Sequence, residues 1–195
     1  IIDLYYAHSD DRDTPMEEYL KAFDSLVTAG KVRNLGASNF SSWRLAEARL
    51  LARERGLAGF CCIQQRFSYL RPRHGTNFGR QVAATEDLLD YCASSGTRLL
   101  AYSPLLNGAY TREDRELRAP YPGCDTDARL AVLREIATEL GVTPNQVVLA
   151  WMMQQEPAVI PLVTASHVEH LDENLAAREI KLSTDQMARL NEAGA

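Results

Sequence analysis

Five short apolar runs in this 195-residue sequence each end on side chains that can hydrogen-bond. His8 ends the first, Ser38-Asn39 the second and Gln64 the third. Tyr102-Ser103-Pro104 ends the fourth, and Thr164 to Ser166 follow the fifth. Together they supply hydroxyls, amides, a phenol and one imidazole, a set that binds through hydrogen bonds rather than through charge. Any one of them can be a turn former or a helix cap, and His8 or Tyr102 can be a satisfied core residue. Five successive runs switching at the same point make a ligand-binding end the better reading. Other chemistries lack their residues. No Gly-x-Gly-x-x-Gly follows a run, no Walker loop exists, and no Gly-x-Ser-x-Gly elbow exists. His167 and His170 are spaced H-x-x-H with no third ligand nearby, so no metal is expected.

Composition narrows the class. The apolar fraction is 46% and the charged fraction 24%, ordinary for a globular chain. A net charge of −5 leaves no basic surplus for a phosphate backbone, which argues against nucleic acid as a partner. The apolar runs are too short to span a membrane. Ile1 to Tyr6 carries an acid and no basic region, so it does not read as a signal peptide. Cys61, Cys62, Cys92 and Cys124 show no C-x-x-C spacing and read as buried, reduced thiols of a cytoplasmic protein. The chain opens inside a strand-like run with no starting Met, which reads as a fragment.

The elements that must position the strand-end residues alternate. Apolar runs fall at Ile1 to Ala7, Val32 to Ala37, Gly59 to Gln64, Arg98 to Ser103 and Ala158 to Val163. After the first run, Thr14, Pro15 and Glu17 predict a capping box, with Gly30 past the helix end. Ser41 or Ser42 caps the next helix, whose apolar positions read as Trp43, Ala46, Leu50 and Leu51. A helix with Leu88, Leu89 and Cys92 stops at Gly96, and residues 105–124 read as a long loop. Leu130, Leu133, Ile136, Ala137 and Leu140 make a further helix, and Thr143-Pro144 starts another. Two helices, near 168–177 and 183–193, close the chain, the second with Ser183 and Gln186 as a capping box. Strand–helix alternation predicts an α/β fold with parallel strands. A doubly wound sheet and a (β/α) barrel both satisfy it. A complete barrel holds eight units in roughly 250 residues, so a barrel reading leaves about three N-terminal units outside these five. No linker divides residues 1–195, which read as one domain.

At these same residues the chain resembles the aldo-keto reductases. The resemblance is carried by Asp3-Leu4-Tyr5-Tyr6-Ala7-His8, by Gly30-Lys31-Val32-Arg33 with Leu35-Gly36-Ala37-Ser38-Asn39-Phe40, and by Gln64 to Leu70. It continues through Ala101-Tyr102-Ser103-Pro104-Leu105 with Gly108, Gly141-Val142-Thr143-Pro144 through Trp151, and Ile160-Pro161 leading to Glu173-Asn174-Leu175. It implies a (β/α)8 TIM barrel, of which this chain supplies the family's strands four to eight.

The resemblance implies an NAD(P)H-dependent oxidoreductase that reversibly reduces aldehyde or ketone carbonyls of small molecules. A non-catalytic, cofactor-binding or regulatory barrel of the same family is the alternative. It implies that Ser38, Asn39 and Gln64 hold the nicotinamide carboxamide, whose two N–H donors and one carbonyl suit a hydroxyl and two amides. Tyr102 would stack on the nicotinamide, leaving one ring face to the substrate. Ser103, Leu105 and Gly108 match the loop over the pyrophosphate, Asn174 the adenine contact and Ser166 the site of the 2′-phosphate. His8 matches the catalytic histidine that orients the substrate carbonyl.

Three departures qualify this. The family's catalytic Asp, Tyr and Lys have no counterpart among these residues, and Tyr5 and Tyr6 lie too early in their strand to replace the Tyr. Many members place an Arg near the 2′-phosphate; here Thr164, Ala165 and Ser166 stand with His167 and His170. NADP(H) is therefore expected over NAD(H) by a small margin. Arg66 stands where an acidic residue is common.

Overall fold

The computed structural model describes residues 1–112, 117 and 120–194. The parts of the 105–124 loop at 113–116 and 118–119, and residue 195, lie outside the described residues. The elements run β1 (Ile2–Ala7), α1 (Met16–Thr28), β2 (Val32–Ser38), α2 (Ser42–Arg55), β3 (Phe60–Arg66), α3 (Glu86–Ser95) and β4 (Arg98–Tyr102). They continue with α4 (Thr126–Leu140), α5 (Pro144–Met153), β5 (Val159–Pro161), α6 (Val168–Ala176) and α7 (Thr184–Glu192). The strands are ordered β1-β2-β3-β4-β5, with β1–β2 and β2–β3 parallel. Sequential parallel order is the arrangement of a (β/α) barrel. By internal contacts the chain forms two compact units: residues 1–66 with 78–100, and 67–77 with 101–195.

In the first unit the strands carry two different faces, because successive side chains alternate. Ala7, Leu35, Ala37 and Ile63 are buried on the helix side. An aromatic chain seals that side: Tyr5 to Phe23 at 5.8 Å, Phe23 to Tyr19 at 5.3 Å, Tyr19 to Phe40 at 6.1 Å and Phe40 to Phe60 at 5.7 Å. On the opposite face, Tyr6, Gly36 and Cys62 share one register level and Ser38 pairs Gln64 on the next. Gly36 is required there: a Cβ would lie 2.6 Å from the Tyr6 ring and 2.9 Å from Cys62 Sγ.

Two helices of this unit differ from expectation. The Thr14–Glu17 capping box does not form. The Thr14 hydroxyl donates to Asp11 at 2.7 Å, Glu17 pairs with Lys21 at 2.9 Å, and α1 starts only at Met16. On α2 the buried stripe is Arg44, Leu45, Ala48 and Ala52, while Trp43 and Leu50 are 55% and 59% exposed. An ion pair of Arg44 with Asp10 turns the helix away from its apolar pattern. The cysteine expectation also needs correction: Cys62 and Cys92 are buried, but Cys61 and Cys124 are exposed. Burial pushes the Cys62 and Cys92 thiols up to about 11.

In the second unit α5 is buried around almost its whole circumference, from Val147 to Met152. The Thr143–Gln146 and Ser183–Gln186 capping boxes form, with backbone N–H bonds to the hydroxyls of 3.2 and 3.1 Å. Leu133 and Ile136 of α4 are fully buried. Arg129 of the same helix is 2% exposed; its Nε donates to Tyr69 O at 3.0 Å and its Nη1 to Ala193 O at 2.8 Å. Its guanidinium lies 4.2 Å over the Tyr69 ring, and burial lowers its pKa.

Candidate active site

The first unit brings His8 and Ser38–Asn39 to the carboxyl ends of β1 and β2, and Gln64 to a position two residues short of the end of β3, which runs on to Arg66. The turn after β2 is the tightest part. Asn39 adopts the left-handed conformation, φ 59°, which asparagine tolerates better than most residues. Its Nδ2 donates to His8 O at 3.1 Å and to Ser38 Oγ at 3.1 Å, and its Oδ1 accepts Val82 N–H at 3.1 Å. One side chain thereby ties the end of β1 to the end of β2 and to the segment before α3. Ser38 is 2% exposed and Asn39 8%.

Sequence reasoning missed Gln65. It is fully buried, and its amide straddles the Asn39 turn. Its Oε1 accepts Asn39 N–H at 2.8 Å and its Nε2 donates to Phe40 O at 3.0 Å. A second glutamine beside Gln64 carries no motif; only an apolar-strand position filled by a buried amide could have drawn attention to it. Arg66 also gains a role. It donates to Gln81 Oε1 at 2.6 Å and stacks 4.6 Å over Phe78, while Ala84 N–H bonds Arg66 O at 2.8 Å. These contacts pin the segment that carries Val82.

Gln64 is half-buried and hydrogen-bonds the Tyr6 hydroxyl, which also lies 3.6 Å from Cys62 Sγ. Burial is the first cause that drives the Tyr6 pKa upward, with Cys62 adding to it. A proton donor near neutrality needs the opposite shift, so Tyr6 is unsuited to that task. His8 is exposed at the end of β1.

The second unit carries the remaining residues. Tyr102 and Ser103 are half-buried at the end of β4, and Phe67 N–H bonds Tyr102 O at 3.3 Å. The turn that follows is rich in left-handed backbone: Ser103 φ 57°, Leu106 φ 48°, Asn107 φ 59° and Gly108 φ 84°. Short-range bonds hold it, Gly108 N–H to Leu105 O at 2.8 Å and Thr111 N–H to Gly108 O at 3.2 Å. Leu106 N–H is likewise donated within the turn, to Ser103 O at 3.3 Å. Leu105 is half-buried. After β5, residues 164–167 are exposed, Ser166 among them, and His167 and His170 stand edge-to-face at 5.5 Å. Asn174 of α6 is 9% exposed. Its neighbour Glu173 accepts the Thr143 hydroxyl at 2.6 Å, which fastens α6 to the start of α5.

Among the described residues no three His, Cys, Asp or Glu side chains come together to hold a metal, and no helix is long and apolar enough to cross a membrane. The residues present fit a nicotinamide dinucleotide in kind. The first unit offers buried hydroxyl and amide groups without a competing charge, and the second offers the half-buried Tyr102 ring and the left-handed turn that follows it.

Comparison with known proteins gives the family. The sequence profile of the Aldo/keto reductase family matches residues 1–195. Norsolorinic acid reductase of Aspergillus flavus is 31% identical, over 98% of this chain and 48% of its own length. Versiconal hemiacetal acetate reductase of Aspergillus parasiticus is 27% identical, over 98% of this chain and 57% of its own. Aldo-keto reductase yakc [NADP(+)] of Schizosaccharomyces pombe is 27% identical, over 98% and 57%. Among solved structures, a thermostable aldo-keto reductase, Tm1743, in complex with the inhibitor epalrestat superposes with a TM-score of 0.75 at 31% identity, over 98% of this chain and 59% of that one. The chain thus spans about half the length of the curated relatives it matches, and its α/β fold is that of a partial (β/α) barrel. From end to end of these 195 residues, the chain belongs to the aldo/keto reductase family.

Proposed function

We propose that the chain is part of an NAD(P)H-dependent oxidoreductase that moves a hydride reversibly between nicotinamide and an aldehyde or ketone carbon. The observation that carries this reading is the uncharged, buried turn at Ser38–Asn39, held against the His8 carbonyl and beside Gln64. When bound, the cofactor supplies the hydride. The first unit's part is orientation. The Ser38 hydroxyl and the Gln64 amide would bond the carboxamide, and Asn39 would join them by giving up its bond to Ser38. His8 would donate a hydrogen bond to the substrate carbonyl and fix its direction. In the second unit, Tyr102 would cover one face of the nicotinamide, and Ser103, Leu105 and Gly108 would line the pyrophosphate. Asn174 would contact the adenine and Ser166 the ribose end.

Cofactor choice follows from residues 164–170. Hydroxyls and backbone N–H groups bind a phosphate or a ribose hydroxyl with similar ease, and no guanidinium stands in this segment. NADP(H) is favoured over NAD(H), weakly. The family relative named for NADP(+) supports that direction.

The test is incubation of the full-length protein with NADPH or NADH and a panel of aromatic and aliphatic aldehydes and ketones. Consumption of reduced cofactor with alcohol formed in equal amount is expected. Tight cofactor binding with no turnover on any carbonyl would favour a regulatory role instead.

A further inference from the structure

We propose that Arg44 and Asp10 form a positioning clamp that sets the direction of His8. The inference rests on the carbonyl-reduction reading above and names a residue pair that acts through the histidine.

Asp10 follows His8 by two residues, in the turn that leaves β1. Arg44 lies in the first turn of α2, just past Ser38–Asn39. Both side chains are nearly closed to solvent, 8% and 6% exposed. The guanidinium grips the carboxylate from the side: Nε lies 3.1 Å from each oxygen and Nη2 2.9 Å from Oδ1. Nη1 is taken by Glu47 at 2.8 Å. Arg12 adds a second cation to Asp10, Nε to Oδ2 at 3.2 Å, and its Nη2 bonds Ser41 Oγ at 3.0 Å. The Trp43 ring lies under both guanidinium groups, at 5.2 Å for Arg12 and 5.7 Å for Arg44. Upstream, the carbonyls of the turn are held as well: His8 O by Asn39 at 3.1 Å and Ser9 O by the Tyr19 hydroxyl at 3.0 Å.

Stability alone is a weak reason for this arrangement. Desolvating two charges is costly, and a well-packed apolar pair in the same place is often as stable. The sequence of α2 even offers apolar residues, Trp43 and Leu50, which are left exposed while Arg44 is buried. An apolar pair cannot set an angle. A planar guanidinium on a carboxylate does, because its donors are fixed in one fork. Geometry of this kind is worth most where a small displacement is expensive, and misplacing a reacting group by an ångström can cost about a hundredfold in rate.

The test compares the full-length parent with the double variant Arg44→Met/Asp10→Leu and the single variant Arg44→Lys. The clamp predicts a double variant that melts close to the parent and binds NADPH as the parent does, with kcat lower by about ten- to a hundredfold. Lysine keeps the charge but loses the fork, so Arg44→Lys should fall between the two; it also carries the test should the double variant fail to fold. Parent-like kcat in either folded variant overturns the clamp. So does a kcat loss that follows equal losses of melting temperature and cofactor affinity, since that marks a merely structural pair. If the parent itself reduces no carbonyl, the functional reading fails separately. The clamp is then read from backbone amide relaxation of His8 to Asp11, which should be rigid in the parent and mobile in the double variant. Equal rigidity would overturn it.

Discussion

The turns after β2 and after β4 both use left-handed backbone, and they are held in opposite ways. At Asn39 the conformation is imposed by partners distant in sequence: Gln65 brackets the peptide, His8 and Val82 take the side chain. After β4, residues 103–108 hold themselves with short backbone bonds between neighbours, and of their side chains only Asn107 is exposed. The first arrangement fixes side chains to within a narrow angle. The second is held by its own neighbours in sequence. In the proposed enzyme that division suits the chemistry. Hydride transfer needs one geometry, whereas a pyrophosphate accepts bonds from many directions.

Single substitutions separate the two turns. The largest effect is expected at His8. His8→Ala in the full-length protein should lower kcat about a hundredfold, roughly 2.7 kcal/mol, with the NADPH dissociation constant nearly unchanged. Steady-state kinetics and a fluorescence titration measure the two. Next is Gly36→Ala, which places a methyl against the Tyr6 ring and Cys62 Sγ on the face below the first turn. Overpacking of this kind costs about 1–3 kcal/mol, and a denaturant melt should show it. A parent-like melt would mean that the sheet face gives way freely.

Gly108→Val acts on the second turn alone. At φ 84° a β-branched residue is strained, and NADPH affinity should fall by about tenfold, near 1.4 kcal/mol, with kcat at saturating cofactor little changed. Smallest is His167→Arg, which offers a guanidinium beside Ser166. An exposed pair is worth about 0.2–1 kcal/mol, so the NADPH-to-NADH affinity ratio should rise only a few-fold. A parent that already prefers NADPH by a hundredfold would show that a cation outside residues 164–170 serves the phosphate.

Much of the frame was legible. The five strands lie within two residues of the apolar runs, because parallel strands covered by helices are apolar along their length. Ser183–Gln186 forms the box expected of it, and Thr143 caps its helix as expected, with Gln146 completing a box that its spacing also offered unread; a capping box needs only its own residues. Thr14–Glu17 has the same local pattern and fails. Asp11 competes for the Thr14 hydroxyl, and Lys21 and Arg55 for the Glu17 carboxylate. The face of α2 was misread for a similar reason. Arg44 is buried by an aspartate 34 residues away, and no periodicity reveals that partner. His8, Ser38, Asn39 and Gln64 could be picked out because each ends an apolar run, although β3 itself continues past Gln64 to Arg66. Gln65 could not, because its role is to fold a neighbouring turn and its spacing is that of any core residue.

The most direct test of this account sets two variants side by side in the full-length protein, His8→Ala and Gly108→Val, each measured for kcat on a carbonyl substrate and for NADPH dissociation constant. The account predicts a crossed result: His8→Ala loses turnover and keeps affinity, whereas Gly108→Val loses affinity and keeps turnover. If both variants move the same parameter, or if His8→Ala reduces carbonyls as fast as the parent, the division between the two turns is wrong.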